Sequence, residues 1–406
     1  MLETVVGRLS QGQPDVRFHV FSYYPAADRN LLRNDRVSVH SSTPAALVAW
    51  LLPWSLLFGI ARLLLGRRVL RVAPAAVRGL AESVALVDLA GVSFIDGREK
   101  FLPFNALTII PAWLLGTPVV KMPQATGPFH GLINRLAARW VLPMCRMFWA
   151  RGPRTHQHLL DAGFPGLRFA QADDIAFNHQ PEYSLTDEGG ALLEERLDTL
   201  RRMRAGARGV IGVCPSSVVA AKARREKGDY EPALVALIEG LAEQGFLVVL
   251  FPNATRDSAG EAERNNDLPL MRRLAAAVEG GRHAVRPVMF DFDLNASGIK
   301  RVIGETDVVV VSRFHAMVGA LSLEVPPAVL GWSHKYAEVM ARFGLEANVL
   351  DYTQLDGADL IARAERLFEE RGQVVEQIRR YLPAVKASAE RPVVALLSPT
   401  LGADLA

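Results

Sequence analysis

Residues 307–317 read DVVVVSRFHAM and are the most informative stretch of the chain. The run of four valines predicts a buried parallel strand, and the helical pattern that follows predicts a helix from about Phe314. Arg313 and His315 then lie where a strand ends and a helix begins, a position that favours anions. Arginine offers a bidentate donor to phosphate or carboxylate, and histidine exchanges protons near neutral pH. The stretch therefore predicts an anion site with acid–base capacity.

The same alternation of β-rich runs and amphipathic helices extends along the chain in both directions, which is typical of a parallel sheet covered by helices. The predicted strands are Val16–Ser22, Val84–Leu89, Pro118–Met122, Met147–Ala150, Leu167–Gln171, Gly209–Cys214, Phe246–Phe251, Val285–Met289, Asp307–Ser312 and Pro327–Gly331. The predicted helices include Met1–Leu9, Phe104–Leu115, Phe129–Pro143, Tyr230–Gln244, Asp267–Val278, Phe314–Leu323, Tyr336–Phe343 and Ala358–Arg380. The fold class is therefore α/β.

The chain of 406 residues is long enough for two such domains. A polar stretch divides the two strand series, so we expect an N-terminal Rossmann-like domain over residues 1–178, a linker with one charged helix over 179–206, and a C-terminal Rossmann-like domain with a final helix over 207–406. Two domains of this kind are expected to face a central cleft, with ligand sites at the strand ends.

Composition and absent motifs exclude several function classes. The 46 basic residues nearly balance the 43 acidic ones, which argues against a nucleic-acid binder that works by bulk charge. The two cysteines, Cys145 and Cys214, form no CxxC pair, which favours a cytoplasmic location. We expect no metal and no cofactor, because the sequence has no dinucleotide or phosphate-binding glycine loop and no paired Cys/His cluster. The pair Asp291 and Asp293 resembles the DxD motif of metal-dependent glycosyltransferases, but its place at the end of a strand-like run is more typical of a helix cap.

One uncharged segment, Ser41–Ala61, is followed by four arginines within ten residues. Its length suffices for a membrane span, but Pro44 and Pro53 interrupt it and its tryptophans lie in its middle rather than at its ends. Two further interpretations stay open: a buried helix, or a helix over residues 44–61 that contacts a membrane surface from the cytoplasmic side.

Four further strand ends carry polar residues that could bind a ligand or could only stabilise a turn. They supply Gln124, Thr126 and Gly127 after the third predicted strand, Arg151 after the fourth, Asp174 after the fifth, and His334 with Lys335 after the last.

The order of these motifs resembles that of the polysaccharide pyruvyl transferase family over roughly residues 1–350. The family's GQ-x-x-GP turn is matched by Pro123–Pro128, its R-x-x-x-S/T junction by Arg151–Thr155, its D-P-A-F segment by Asp174–Phe177, and its R-x-H by Arg313–His315. A later lysine fits Lys335. The family's N-terminal Asn/Gly-rich loop has no counterpart here, and we expect that a first strand is missing. Asn253 stands where the family often has histidine.

This resemblance implies a GT-B-like fold and transfer of a pyruvyl group from phosphoenolpyruvate to a sugar of a cell-surface or exopolysaccharide precursor. The products are a cyclic ketal and phosphate, and the sugar acceptor is either lipid-linked or nucleotide-linked. His315 and Arg313 are then the catalytic candidates. The substrate-binding candidates are Arg151, Lys335, Gln124, Thr126, Gly127, Asn253, His334 and Asp174.

Two other functions are open on the sequence. A GT-B glycosyltransferase that uses a nucleotide sugar would share the architecture and the cationic strand ends. A catalytically silent scaffold for polysaccharide assembly would account for the missing N-terminal loop and the apolar segment.

Overall fold

The computed structural model describes residues 1–32, 34–181, 190–226, 228–255, 265–281 and 286–397. The chain forms two compact units. Unit 1 comprises Met1–Ile175 with Lys386–Ala406, and unit 2 comprises Ala176–Val385.

Unit 1 is built on parallel strands. β1 (Phe18–Ser22) and β2 (Val37–Ser41) pair with each other, and a second sheet has the order β3-β4-β5-β6. The strands of that sheet are β3 (Leu86–Asp88), β4 (Val119–Gln124), β5 (Met147–Arg151) and β6 (Phe169–Ala172). The helices of the unit are α1 (Leu2–Gly12), α2 (Pro25–Leu31), α3 (Pro44–Ala46), α4 (Leu52–Leu65), α5 (Ala75–Glu82), α6 (Leu102–Leu107), α7 (Ile110–Leu115), α8 (Leu132–Val141) and α9 (Gly152–Ala162).

The four-stranded sheet of unit 1 is covered on both faces. Phe148 and Ala150 of β5 pack into a core with α4, α7, α8 and α9 on one face, whereas Trp149 between them packs on the other face with α1 and Val393. This alternation is the period of two that a strand imposes on its side chains. The burial of Val393 ties the C-terminal part of the last described helix to unit 1.

Unit 2 has one six-stranded parallel sheet of order β12-β11-β10-β7-β8-β9. Its strands are β7 (Val210–Cys214), β8 (Leu247–Leu250), β9 (Val288–Met289), β10 (Val308–Val311), β11 (Pro327–Gly331) and β12 (Val349–Asp351). The helices from here to the end of the described chain are α10 (Gly190–Arg204), α11 (Ser217–Glu226), α12 (Tyr230–Glu243), α13 (Leu268–Glu279), α14 (Ala296–Gly304), α15 (Phe314–Ser322), α16 (His334–Ala341), α17 (Gly357–Glu369) and α18 (Arg371–Leu397). Read from its first strand, this sheet has the strand order of a Rossmann fold.

The α/β class with two Rossmann-like units is confirmed, while several bounds differ from the sequence-based expectation. All ten predicted strands overlap observed ones, whereas β2 and β12, the latter at a sheet edge, were not predicted. Phe104–Leu115 is two helices because Pro111 starts a new one, and Ala358–Arg380 is divided at Glu370 between α17 and α18.

The domain bounds also differ from the expected 1–178, 179–206 and 207–406. Within the expected linker, α10 buries three leucines and belongs to unit 2; residues 182–189 lie outside the described residues. The segment from Lys386 belongs to unit 1, where the Glu390 carboxylate accepts hydrogen bonds from the Arg8 guanidinium. A local pattern cannot reveal such a return of the chain, because the contacts join residues 382 positions apart.

The helical run Pro44–Leu65 is not the fully buried helix that one interpretation predicted. By length and composition, with a mean hydropathy of 1.8, this run could cross a membrane. Only 28% of its most apolar window is buried, which is less than a core helix would show. Its buried positions, at spacings of three and four, form one face that packs in the core of unit 1, with Gly59 against the backbone of α7. The opposite face is apolar and exposed.

The buried His179, near the start of unit 2, predicts that the stability of the fold depends on pH. His179 is buried, its Nε2 lies 3.1 Å from Ser297 Oγ, and the Lys300 ammonium donates to the His179 carbonyl at 2.8 Å. Burial, with the nearby Lys300 charge, lowers the pKa of His179 from 6.5 to about 4. Between these values the unfolded chain binds a proton that the folded chain does not, so stability falls as the pH drops through this window.

We expect acidification from pH 7 to pH 5 to reduce the free energy of unfolding of wild type by up to about 2 kcal/mol more than that of His179→Gln. Urea denaturation of both proteins at the two pH values measures this difference. Equal losses in the two proteins would show that His179 is not the titrating group.

Candidate functional site

The chain order of the unit 2 sheet predicts where a ligand binds. In chain order, β8 and β9 follow on one side of β7, whereas β10, β11 and β12 lie on its other side. The loops after β7 and β10 therefore run in opposite directions and leave a crevice at the carboxyl ends of these two strands, where ligands bind in open α/β sheets. Ser216 and Ser217 follow β7, and Ser312 and Arg313 follow β10.

A buried ion pair dominates this edge of the sheet. Arg313 Nε donates to both Asp267 carboxylate oxygens at 2.9 and 3.1 Å, and Arg313 Nη2 makes a further short bond to Asp267 Oδ1. Asp267 is fully buried and the Arg313 side chain is 12% exposed. Burial disfavours the charge of Arg313, but the Asp267 carboxylate outweighs it and raises the Arg313 pKa above its ordinary range. Arg313 is therefore a permanent, fixed cation.

Asp267 joins three loops of unit 2. Its Oδ1 accepts from the Ser217 N–H at 2.9 Å, and its Oδ2 accepts from the N–H groups of Ala254 at 3.0 Å and Asn253 at 3.4 Å. Arg313 adds bonds to Ser217 Oγ at 3.0 Å and to Asn265 Oδ1 at 3.1 Å. The loops after β7, β8 and β10 are thus held by one carboxylate and one guanidinium.

Two buried tyrosines hold Ser312 at the end of β10. The Tyr230 hydroxyl donates to Ser312 Oγ at 2.6 Å and accepts from the Ser216 N–H at 3.0 Å, while the Tyr336 hydroxyl donates to the Ser312 carbonyl at 3.1 Å. Burial raises the pKa of both tyrosines, so their hydroxyls stay protonated. These bonds fix the backbone from which α15 begins.

The functional candidates lie around that start of α15. His315 is exposed on its first turn, with its ring edge-on to Phe314 at a centroid distance of 5.4 Å. The Lys335 ammonium lies 4.9 Å from the Phe314 ring and 5.0 Å from the Trp332 ring, so a cation is held against aromatic faces. The arrangement combines a helix N-terminus, two cations and an exposed imidazole, which suits an anion that undergoes proton transfer.

The other predicted residues of unit 2 are Asn253 and His334. Asn253 follows β8 and is tied to Asp267 by its N–H. His334 is exposed at the start of α16, with Nε2 3.9 Å from Glu338 Oε2.

The predicted residues of unit 1 cluster at the carboxyl ends of β4, β5 and β6. Arg151 Nη1 donates to Asp174 Oδ2 at 2.9 Å in a pair that is almost wholly buried. Gln124 is buried and accepts from the Ser93 hydroxyl, and Thr126 Oγ1 donates to the Phe94 carbonyl at 3.2 Å. Gly127 has φ +86°, and a Cβ there would lie 2.7 Å from His158, so only glycine fits. Gln124 and Thr126 thus have structural bonds within the fold.

Sequence reasoning missed three charged residues at these edges. Asp267 appeared only as a helix boundary, although an acid just before Leu268-Pro269 was a visible signal. Lys121 Nζ, in the middle of β4, and Asp88 Oδ2, at the end of β3, form a buried ion pair. Burial opposes the charge of Asp88, but Lys121 outweighs it and lowers the Asp88 pKa. The sequence signal for Lys121 was its position within an apolar strand, in a chain that has few lysines.

No group of three or more His, Cys, Asp or Glu side chains that could hold a metal ion occurs among the residues that the structure describes.

The buried pair makes a stability prediction. Asp267→Asn leaves the Arg313 charge buried without its counter-charge, so we expect a loss of about 3 kcal/mol or more in the free energy of unfolding. Replacing both residues by apolar ones, Asp267→Leu with Arg313→Met, is expected to recover part of that loss. Urea denaturation followed by fluorescence measures both.

The exposed ion pair between Arg301 and Glu194 on α14 and α10 is the matched control. Glu194→Gln should cost less than about 1 kcal/mol, because solvent screens exposed charges. An Asp267→Asn loss as small as that of Glu194→Gln would contradict the role given to the buried pair.

Comparison with known proteins gives a family and a fold. Residues 1–334 match the family model described as polysaccharide pyruvyl transferase. No sequence among curated proteins matches the chain.

Similar solved structures include a putative UDP-N-acetylglucosamine 2-epimerase from Listeria monocytogenes, with TM-score 0.55, 12% identity, and coverage of 97% of this chain and 91% of that one. An α,α-trehalose 6-phosphate synthase from Burkholderia multivorans has TM-score 0.54 and 14% identity, covering 98% and 93%. The S. aureus MnaA–UDP structure has TM-score 0.52 and 10% identity, covering 94% and 96%. These are GT-B enzymes, so the predicted GT-B-like fold is confirmed; at such identities the likeness shows the fold alone.

Proposed function

The chain belongs to the polysaccharide pyruvyl transferase family, and we propose that it moves a pyruvyl group from phosphoenolpyruvate to a sugar of a cell-surface or exopolysaccharide precursor. The reaction forms a cyclic ketal and releases phosphate. The observation that carries the proposal is the joint position of Arg313, His315 and Lys335 at the start of α15, beside the Rossmann switch point. Phosphoenolpyruvate, with its phosphate and its carboxylate, fits a site with fixed cations and helix N–H donors.

The chemistry needs a proton donor. Protonation of C3 of phosphoenolpyruvate makes C2 electrophilic, one sugar hydroxyl then adds to C2, and a second hydroxyl displaces phosphate. The two hydroxyl protons end on C3 and on phosphate, so atoms and charges balance. His315 is the proposed proton donor, because its exposed imidazole lies on the helix turn that would bind the anionic groups of phosphoenolpyruvate.

The cations have different roles in this proposal. Arg313 is held by Asp267 and Ser217, so its proposed contribution is a fixed position of the first turn of α15 rather than a free positive charge. Lys335 approaches from α16 and is proposed to bind the phosphate or the carboxylate. In unit 1, Arg151, Asp174, Gln124, Thr126 and Gly127 are retained as proposed substrate-binding residues, as are Asn253 and His334 in unit 2.

We also propose that the reaction is cytoplasmic and needs neither a metal nor a further cofactor. Both cysteines, Cys145 and Cys214, are buried free thiols, which suits a reducing compartment.

The role of His315 has a direct kinetic test. His315→Gln removes the acid but keeps a polar side chain, so kcat for phosphate release should fall by about 100-fold or more, while the Kd for phosphoenolpyruvate changes by less than about 3-fold. The exposed His130 of unit 1, for which no catalytic role is proposed, gives the control His130→Gln with unchanged kcat. Near-wild-type turnover of His315→Gln would exclude His315 as the proton donor.

A thermal-shift experiment tests whether phosphoenolpyruvate is the pyruvyl donor. Phosphoenolpyruvate at a hundred times its Kd should stabilise the folded protein by about 2.7 kcal/mol, and Lys335→Met should weaken that effect without lowering the melting temperature of the free protein. Lys335→Met is preferred to an Arg313 variant, because loss of Arg313 would break the buried pair.

Other outcomes of the same experiment select the alternatives. Stabilisation by a UDP-sugar with no response to phosphoenolpyruvate would make the protein a glycosyltransferase. Stabilisation by phosphoenolpyruvate with no phosphate release on any glycan acceptor would favour the silent scaffold.

A further inference from the structure

One side of unit 1 exposes an unusually apolar surface. The outer face of the run Pro44–Leu65 presents Trp50, Leu57, Ile60, Leu63, Leu64 and Leu65, whose exposed fractions range from 40% to 80%. Soluble monomers rarely expose a contiguous apolar patch of this kind without a function for it.

Two further helices on this side of the unit 1 sheet also expose apolar residues. Helix α7 packs along α4 and carries the half-exposed Trp113. Helix α8 exposes Leu132, Leu136 and Trp140, which recur at a spacing of four and so share one face. Because α7 and α8 connect successive parallel strands β3, β4 and β5, right-handed crossovers put them on the same side of the sheet. The shared core of α4, α7 and α8 agrees with this placement.

The surroundings of this surface are strongly basic. Residues 36–81 contain six arginines and no acidic residue. Residues 100–160 contain seven basic residues and no acidic one, but Lys121 and Arg151 are buried in ion pairs and do not contribute to this surface. Two acids, Asp96 and Glu99, lie beside Gly131 at the start of α8. Arg67, Arg68 and Arg71 follow α4 directly and are exposed. Arg135 and Arg139 alternate with the apolar residues of α8 and are exposed as well. Such a concentration of positive charge contrasts with a net charge of only +3 for the chain.

This combination favours one occupant. Leucine and tryptophan on a helix face flanked by arginine are typical of helices that lie in the interface of an anionic bilayer. A protein partner would need acidic residues against at least five arginines as well as a matching apolar groove. A membrane span is disfavoured, because the other face of the helix, including Leu47, Leu51 and Phe58, belongs to the core of unit 1.

We propose that this membrane face, defined as the exposed sides of α4 and α8 with Trp113 and the arginines 67, 68, 71, 135 and 139, docks unit 1 on a membrane that contains anionic lipid. The apolar side chains enter the boundary between headgroups and acyl chains, and the guanidinium groups bind lipid phosphates. The inference goes beyond the proposed transferase activity and does not depend on it, although a docked enzyme would meet an acceptor carried on lipid.

Vesicle co-sedimentation of the full chain tests the docking, without donor or acceptor. Vesicles of phosphatidylcholine with 30% phosphatidylglycerol should bind the protein at least about tenfold more strongly than vesicles of phosphatidylcholine alone, and added salt should weaken that binding. The variant Leu57→Gln/Ile60→Gln/Leu64→Gln should lose binding to both kinds of vesicle. The variant Arg67→Gln/Arg68→Gln/Arg71→Gln should lose mainly the preference for anionic lipid.

Matched controls change the same residue types on unit 2. Leu192→Gln/Met203→Gln replaces exposed apolar residues of α10, and Arg363→Gln/Arg380→Gln replaces exposed arginines of α17 and α18; both should bind vesicles as wild type does. Circular dichroism and melting temperature verify that each variant folds.

Four results would overturn the proposal. Wild type could fail to bind either kind of vesicle, or the membrane-face variants could bind as well as their controls. Self-association without lipid that the three Gln substitutions abolish would show that a second copy covers this face. Retention in bilayers after an alkaline carbonate wash would show a span. Because none of these assays uses phosphoenolpyruvate, their failure is distinguishable from failure of the proposed reaction.

Discussion

The buried ion pair between Arg313 and Asp267 is the interaction on which the site of unit 2 depends. One carboxylate without solvent contact accepts bonds from the guanidinium and from three backbone N–H groups, and so it ties together the loops that leave β7, β8 and β10. Burial makes each of these charges costly alone, and the pair is tolerated because every lone pair of the carboxylate faces a donor. The start of α15, with His315, is fixed as a consequence.

This arrangement changes how the R-x-H motif is understood. From the sequence, Arg313 is an anion clamp; in the structure its guanidinium is committed to Asp267, Ser217 and Asn265. The groups that can meet a ligand are then His315 on the helix turn and Lys335 against the Phe314 and Trp332 rings. A parallel case occurs in unit 1, where Arg151 is committed to Asp174. In both units the predicted arginine organises the strand ends through its buried carboxylate partner.

The two proposals made for this chain concern opposite kinds of surface. The transferase proposal rests on polar side chains that the sheet of unit 2 gathers at one edge. The membrane proposal rests on apolar side chains that the sheet of unit 1 leaves uncovered on one side, among arginines without neighbouring acids in the sequence. Each can fail without the other, since the residues involved are different.

The sequence by itself determined the α/β class, ten of the twelve strands in the described part of the chain, and the family, because valine runs, turn residues and the order of motifs are local properties of the chain. Tertiary structure alone decided that Asp267 partners Arg313 across 46 positions, that Lys121 partners Asp88, and that the chain after Lys386 returns to unit 1. It also decided which face of Pro44–Leu65 is buried. These outcomes depend on which strands and helices become neighbours, and a pairing between distant residues leaves no periodic signal in one sequence.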